Sequence, residues 1–135
     1  MKFITLSAIA ILSLGFLQGV QADVINNVLD GYRSQGASDF SAKSGDALWQ
    51  KNFADPENSS KQRNCTSCHG EDLTRPGKHV KTGKVIEPLA PSVNKERLTD
   101  PKFIEKWFKR NCKWVMGREC TAQEKGDFLL FIQTK

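Results

Sequence analysis

The pentapeptide Cys65-Thr66-Ser67-Cys68-His69 constrains this chain more than any other feature. A C-x-x-C-H run is the attachment signature of c-type haem. Two cysteines three positions apart reach the two vinyl groups on one edge of a porphyrin and form thioether bonds. The histidine that follows is carried beneath the iron as a ligand. Other chemistries also use paired cysteines. A structural zinc site needs a second ligand pair of similar type and spacing, but Cys112 and Cys120 lie far downstream and no second C-x-x-C exists. A thioredoxin-like motif belongs in a βαβ setting, and no such pattern surrounds Cys65. The trailing His69 points to one covalent haem c, held by Cys65 and Cys68 with His69 on the iron.

The N-terminus bears on the compartment. Lys2 precedes an apolar run from Phe3 to Leu17, and Gly19-Val20-Gln21-Ala22 has the small residues of a signal-peptidase site. The run is short for the roughly 20 residues of a membrane span, and no stop-transfer charge cluster follows. Residues 1–22 therefore read as a cleaved secretory signal and 23–135 as one cytochrome c domain, exported, soluble and periplasmic. The whole chain has 135 residues and a net charge of +5. That charge is spread rather than massed in a basic block, which argues against nucleic-acid binding and suits a lysine-rich rim that meets an acidic redox partner.

Helical spacing appears at both ends of the exported chain. Val24, Ile25, Val28 and Leu29 form a helical stripe before the turn-forming Gly31, Gly36 and Ser38. A second helix is expected from about Ala42 to Phe53, stopping before Asp55-Pro56. Asp100 is placed to cap a third, with Pro101 in its first turn and Phe103, Trp107 and Asn111 following on one face. Thr121 and Glu124 match a capping box at the start of a fourth helix, which carries Phe128, Leu129, Phe131 and Ile132. Residues 70–99 hold Pro76, Gly77, Gly83, Pro88 and Pro91 and read as a long loop that needs a cofactor to organise it. The expected fold is all-α and class I-like: a few helices wrapped around one haem.

The sixth iron position sets the function. Met116 is the only methionine beyond the leader, and a thioether there would make a simple electron carrier. Cys112 and Cys120, in an oxidising compartment, are expected to form a disulfide worth about 2–3 kcal/mol. That bond would pin the segment around Met116 at both ends. Asn111 directly precedes it, at what reads as the end of the aromatic helix.

Three stretches carry a family resemblance: GKHVKTGKVI at 77–86, PLAPS at 88–92, and FIEKWFKRNCKWVMGREC at 103–120. They resemble the sphaeroides haem proteins, and the likeness extends over about residues 65–131. The resemblance implies a class I-like monohaem cytochrome whose ferric iron is held by His69 and the side chain of Asn111, beside a Cys112–Cys120 disulfide. An amide oxygen is a hard, weak donor that suits ferric better than ferrous iron. Reduction would then free the iron for O₂, NO or CO, with Phe103 and Trp107 walling the distal side and His79 a loop or propionate-side residue. Another cytochrome, soluble or membrane-bound, is the implied electron donor. Three functions stay open: a terminal haem protein passing electrons to O₂ or NO, a Met116-ligated carrier, and a gas sensor or buffer without turnover.

Overall fold

The computed structural model describes residues 16–135. In chain order it contains α1 (Phe16–Arg33), α2 (Ala42–Gln50), β1 (Phe53–Asp55), β2 (Asn58–Arg63), α3 (Thr66–His69), β3 (Gly77–Lys78), β4 (Val85–Ile86), α4 (Pro101–Met116) and α5 (Ala122–Gln133). Helices dominate, as the all-α reading requires. The strands form two small antiparallel hairpins, β1 with β2 and β3 with β4.

The helix starts follow local chemistry. Asp100 accepts the Lys102 N–H at 2.8 Å and Pro101 opens α4. Thr121 and Glu124 close a capping box at the head of α5. The helix ends depart from expectation in three places. α1 runs through Gly31 and turns only at Gly36, whose φ is +92°. Buried Ile25, Leu29 and Tyr32 anchor it there, which outweighs the modest cost of one interior glycine. α2 stops at Gln50, and Phe53 instead pairs with Arg63 across the first hairpin. α4 continues past Asn111 to Met116, where Gly117 caps it with φ +71°. Asn111 is thus an interior helical residue and caps nothing.

The signal-peptide segment lies mostly outside the described residues. α1 nevertheless crosses Ala22, the expected cleavage point, without interruption. None of the helices described is long and apolar enough to cross a membrane.

Two clusters make the core. One joins Ile25, Leu29 and Tyr32 of α1 to Ile104 of α4 and Leu129 of α5. The other gathers Trp49, Leu73, Ala90, Cys112, Cys120, Phe128, Phe131 and Ile132, with Cys65, Phe108 and Met116 packed against it. α5 therefore serves both clusters, through Leu129 and Phe128 respectively. α2 crosses α5 at very close range. A Cβ on Gly45 would lie 2.1 Å from the Asp127 carbonyl oxygen, and one on Gly126 would lie 2.2 Å from the Phe40 ring. This approach sets Trp49 of α2 against Phe128 and Phe131 of α5, and the same ring also lies against the histidine of the C-x-x-C-H turn.

Candidate haem site

The motif residues sit on a single turn. Both Cys68 and His69 donate backbone N–H groups to the Cys65 carbonyl, at 3.3 and 3.2 Å, and Gly70 ends the turn with φ +69°. Asn64 braces it from the front. Its Oδ1 accepts the Ser67 N–H at 2.8 Å, the Thr66 hydroxyl at 2.8 Å and the Ser67 hydroxyl at 2.7 Å. From behind, Gly77 lies so close that a Cβ there would stand 2.2 Å from the Cys68 carbonyl oxygen. From the sequence Gly77 stands out only as one of the loop formers, and Asn64 does not stand out. An asparagine directly before the motif, a common N-cap type, and a Pro76-Gly77 pair were the available signals.

Burial tunes the two chemical groups. The Cys65 thiol is pushed up to about 12, first by burial and then by the neighbouring Cys68. The His69 imidazole is pulled down to about 4, chiefly by burial and further by the Arg97 charge. A neutral imidazole keeps a nitrogen lone pair for a metal. Its ring lies against Trp49, with centroids 5.4 Å apart. The Trp49 indole Nε1 is the one buried side-chain polar atom without a hydrogen-bond partner among the described residues. An unpaired buried donor is costly, and a porphyrin carboxylate is an acceptor of the kind it needs. The residues around His69 thus fit a haem.

The long loop is organised largely by Arg97. Its Nε donates to the Pro88 carbonyl and its Nη2 to the Glu87 carbonyl, both at 2.8 Å. The Leu73 carbonyl accepts the N–H groups of Leu89 at 3.1 Å and Ala90 at 2.9 Å.

α4 separates the two residues that compete for the sixth position. A helix turns about 100° per residue, so Asn111 and Met116 point about 140° apart. Met116 packs on the core cluster with its sulfur 3.8 Å from the Cys120 sulfur. Cys112 and Cys120 lie at bonding distance, with Cα atoms 5.5 Å apart. Asn111 is exposed, on the stripe of Phe103, Trp107 and Trp114. Phe103 and Trp107 meet edge to face at 5.8 Å and are 42% and 37% exposed. Trp114 lies 6.4 Å from the His79 ring, which keeps His79 near the stripe. Its Nδ1 accepts the N–H groups of Lys81 and Thr82, both at 3.3 Å.

Arg63, also missed from sequence, ties β2 to this helix. It lies 4.3 Å over the Trp114 ring and donates to the Trp114 carbonyl at 2.8 Å.

Residues 35–132 match the family described as Domain of unknown function (DUF1924). Over 107 residues the chain is 41% identical to cytochrome c-type protein SHP of Cereibacter sphaeroides, across 78% of this chain and 79% of that one. This chain belongs to the SHP family of c-type cytochromes. Oxidised SHP, described as an oxygen-binding cytochrome c, aligns with a TM-score of 0.72 at 38% identity, over 82% of this chain and 96% of that one. Cytochrome c″ of Methylophilus methylotrophus is 36% identical over 91 residues, 67% of this chain and 62% of its own length. Its oxidised crystal structure aligns with a TM-score of 0.66 at 29% identity. As an SHP-family member the chain has the class I-like cytochrome fold and carries one covalent haem c.

Proposed function

We propose that this chain is an exported haem protein that accepts electrons from another cytochrome, soluble or membrane-bound, and binds diatomic gases in its ferrous state. When bound, the haem supplies an iron that cycles between ferric and ferrous and takes O₂, NO or CO when its sixth position is free. Cys65 and Cys68 anchor the group covalently, and neutral His69 is the permanent ligand. Asn111 offers the amide oxygen that holds ferric iron and releases ferrous iron, since a hard, uncharged donor matches the higher charge better. Phe103 and Trp107 flank it on the distal side and limit access by water.

One observation carries the choice of Asn111. It stands outward beside Phe103 and Trp107, whereas Met116 is turned into the core against Cys120. Two relatives lend support. SHP is described as oxygen-binding, and the solution structure of cytochrome c″ is described in terms of haem-ligand detachment. Among the α1 residues whose burial is described, the buried ones, Ile25, Leu29 and Tyr32, all follow Ala22, which accords with export. Cleavage there leaves Asp23 at the new helix start, where a carboxylate is favourable.

Visible spectra of ferric, ferrous and CO-treated protein test the reading. Wild-type ferrous protein is expected to be high-spin and to bind CO rapidly. Asn111→Ala is expected to turn the ferric spectrum high-spin, while Met116→Leu leaves it unchanged. A sulfur-to-iron charge-transfer band lost in Met116→Leu would assign the position to methionine and make the protein a plain carrier.

A further inference from the structure

The aromatic line on α4 borders a second stripe of different character. Lys102, Lys106, Lys109, Arg110 and Lys113 all lie exposed on one side of the helix. By helical rotation this stripe is centred about 115° from the Phe103–Trp107–Asn111 line, on the side away from Ile104, Phe108 and Cys112. Haem-side and outward-facing duties therefore fall on different residues.

Its cations are largely uncompensated. Among the described residues Lys102, Lys106, Lys109 and Arg110 form no ion pair, and Lys113 makes only a 3.7 Å contact with exposed Glu119. The single acidic residue of α4, Glu105, is committed elsewhere, to Tyr32 and at 2.8 Å to Lys125. Five of the six charged residues of α4 are basic, in a chain whose net charge is +5. The arrangement works against the helix itself. Like charges three and four positions apart repel, and Lys102 sits in the first turn, where the helix dipole disfavours a cation. A local conflict of this kind, without a compensating partner inside the fold, is what a binding surface leaves behind.

We propose that Lys102, Lys106, Lys109, Arg110 and Lys113 form the docking surface for an acidic electron-transfer protein that reduces this haem, an inference that rests on the electron-accepting role proposed above. Arg110 lies 5.1 Å over the Trp107 ring, which joins the basic stripe to the aromatic line. Arginine and tryptophan are enriched where protein interfaces are strongest. An anionic membrane is the competing occupant. It fits less well, because Ile104, Phe108 and Cys112 of α4 are already packed inside the fold, and the exposed Phe103 and Trp107 are the residues assigned above to the haem.

The test uses the mature holoprotein and flavodoxin hydroquinone, an acidic one-electron donor, in stopped-flow reduction. Lys106→Glu/Lys109→Glu is compared with Lys43→Glu/Lys84→Glu, which changes net charge equally at exposed positions of α2 and the long loop. At low salt the α4 variant is expected to be reduced about tenfold more slowly than wild type, the control pair less than about twofold, with the rates converging at high salt. Reduction by an uncharged flavin semiquinone and the ferrous CO spectrum are expected to be unchanged in both. Equal slowing by the two pairs would reduce the effect to net charge and overturn the proposal, as would no slowing by either. Sedimentation with phosphatidylglycerol vesicles, lost in the α4 variant while its flavodoxin rate stays at wild type, would give the surface to a membrane instead. Failure of the electron-accepting role itself appears separately, as a wild-type haem that flavodoxin hydroquinone does not reduce at any salt concentration.

Discussion

At the scale of single residues, Arg63 shows how much one buried cation organises. Its guanidinium lies 2.7 Å from both Asp55 and Glu57, stacks on Trp114 and bonds the Trp114 carbonyl. The Arg63 and Asp55 side chains are only 8% and 11% exposed, so neither retains much hydration. Removing one partner of a buried pair strands the other charge. Arg63→Ala is therefore expected to cost about 3 kcal/mol in urea unfolding. Arg63→Lys keeps the charge but loses the planar fork that spans two carboxylates and a carbonyl, and should recover only part of that loss. Adding Asp55→Ala to Arg63→Ala should restore some stability, because no carboxylate is then left buried at that position. If the double variant is less stable than Arg63→Ala alone, the ion pair is not what makes Arg63 costly to remove. Asn111 poses the complementary case. Its chemistry follows from its neighbours on the helix surface, and a one-position change in helical phase would turn it toward the core.

At the scale of elements, two glycines in helices carry opposite expectations. Gly45 lets α2 lie against α5, with the Asp127 carbonyl 2.1 Å from where a Cβ would be. Backbone cannot swing aside as a flexible side chain can, so Gly45→Ala must push the helices apart. Overpacking of this kind costs typically 1–3 kcal/mol, and a clash with backbone belongs at the top of that range. Trp49 rides on α2 and touches His69, so the variant is also expected to perturb the haem absorption bands. Gly31 lies mid-helix in α1 with nothing within 4 Å of an added Cβ. Gly31→Ala is expected to stabilise the protein by roughly 0.5–1 kcal/mol, the ordinary helix-propensity gain. Thermal melts of the two variants shifting in the same direction would contradict this account. The pair also marks what sequence reading reaches. Caps were legible, since Asp100, Pro101, Thr121 and Glu124 act through neighbours two or three positions away. The hairpins were not. Asn58–Arg63 is almost wholly polar and exposed, so no alternation of apolar residues announces a strand.

At the scale of the whole molecule, the motif turn was readable because thioether chemistry demands local spacing. The C-x-x-C-H run, the aromatic stripe and the cysteine pair each lie within a short stretch of chain. Trp49, Gly77, Arg63 and Arg97 act through tertiary contacts, and periodicity cannot show that Trp49 meets His69 or that Gly77 backs Cys68. The remaining expectation concerns the molecule as one covalent object. Cys65 and Cys68 bound through thioethers would make the haem part of the polypeptide, retained when every non-covalent contact is removed. Acid–acetone treatment is therefore expected to leave the haem with the chain. The intact mass is expected to equal residues 23–135 plus a single haem, less two hydrogens for the Cys112–Cys120 bond. That one measurement reads leader cleavage, cofactor number and disulfide together. Cys68→Ala should mature poorly and carry haem through one thioether, while a free porphyrin in the extract of the wild type would refute covalent attachment. A mass that retains residues 1–22 would leave the haem assignment standing and remove the secretory leader. The two conclusions separate because the C-x-x-C-H turn begins at Cys65, far along the chain from Ala22.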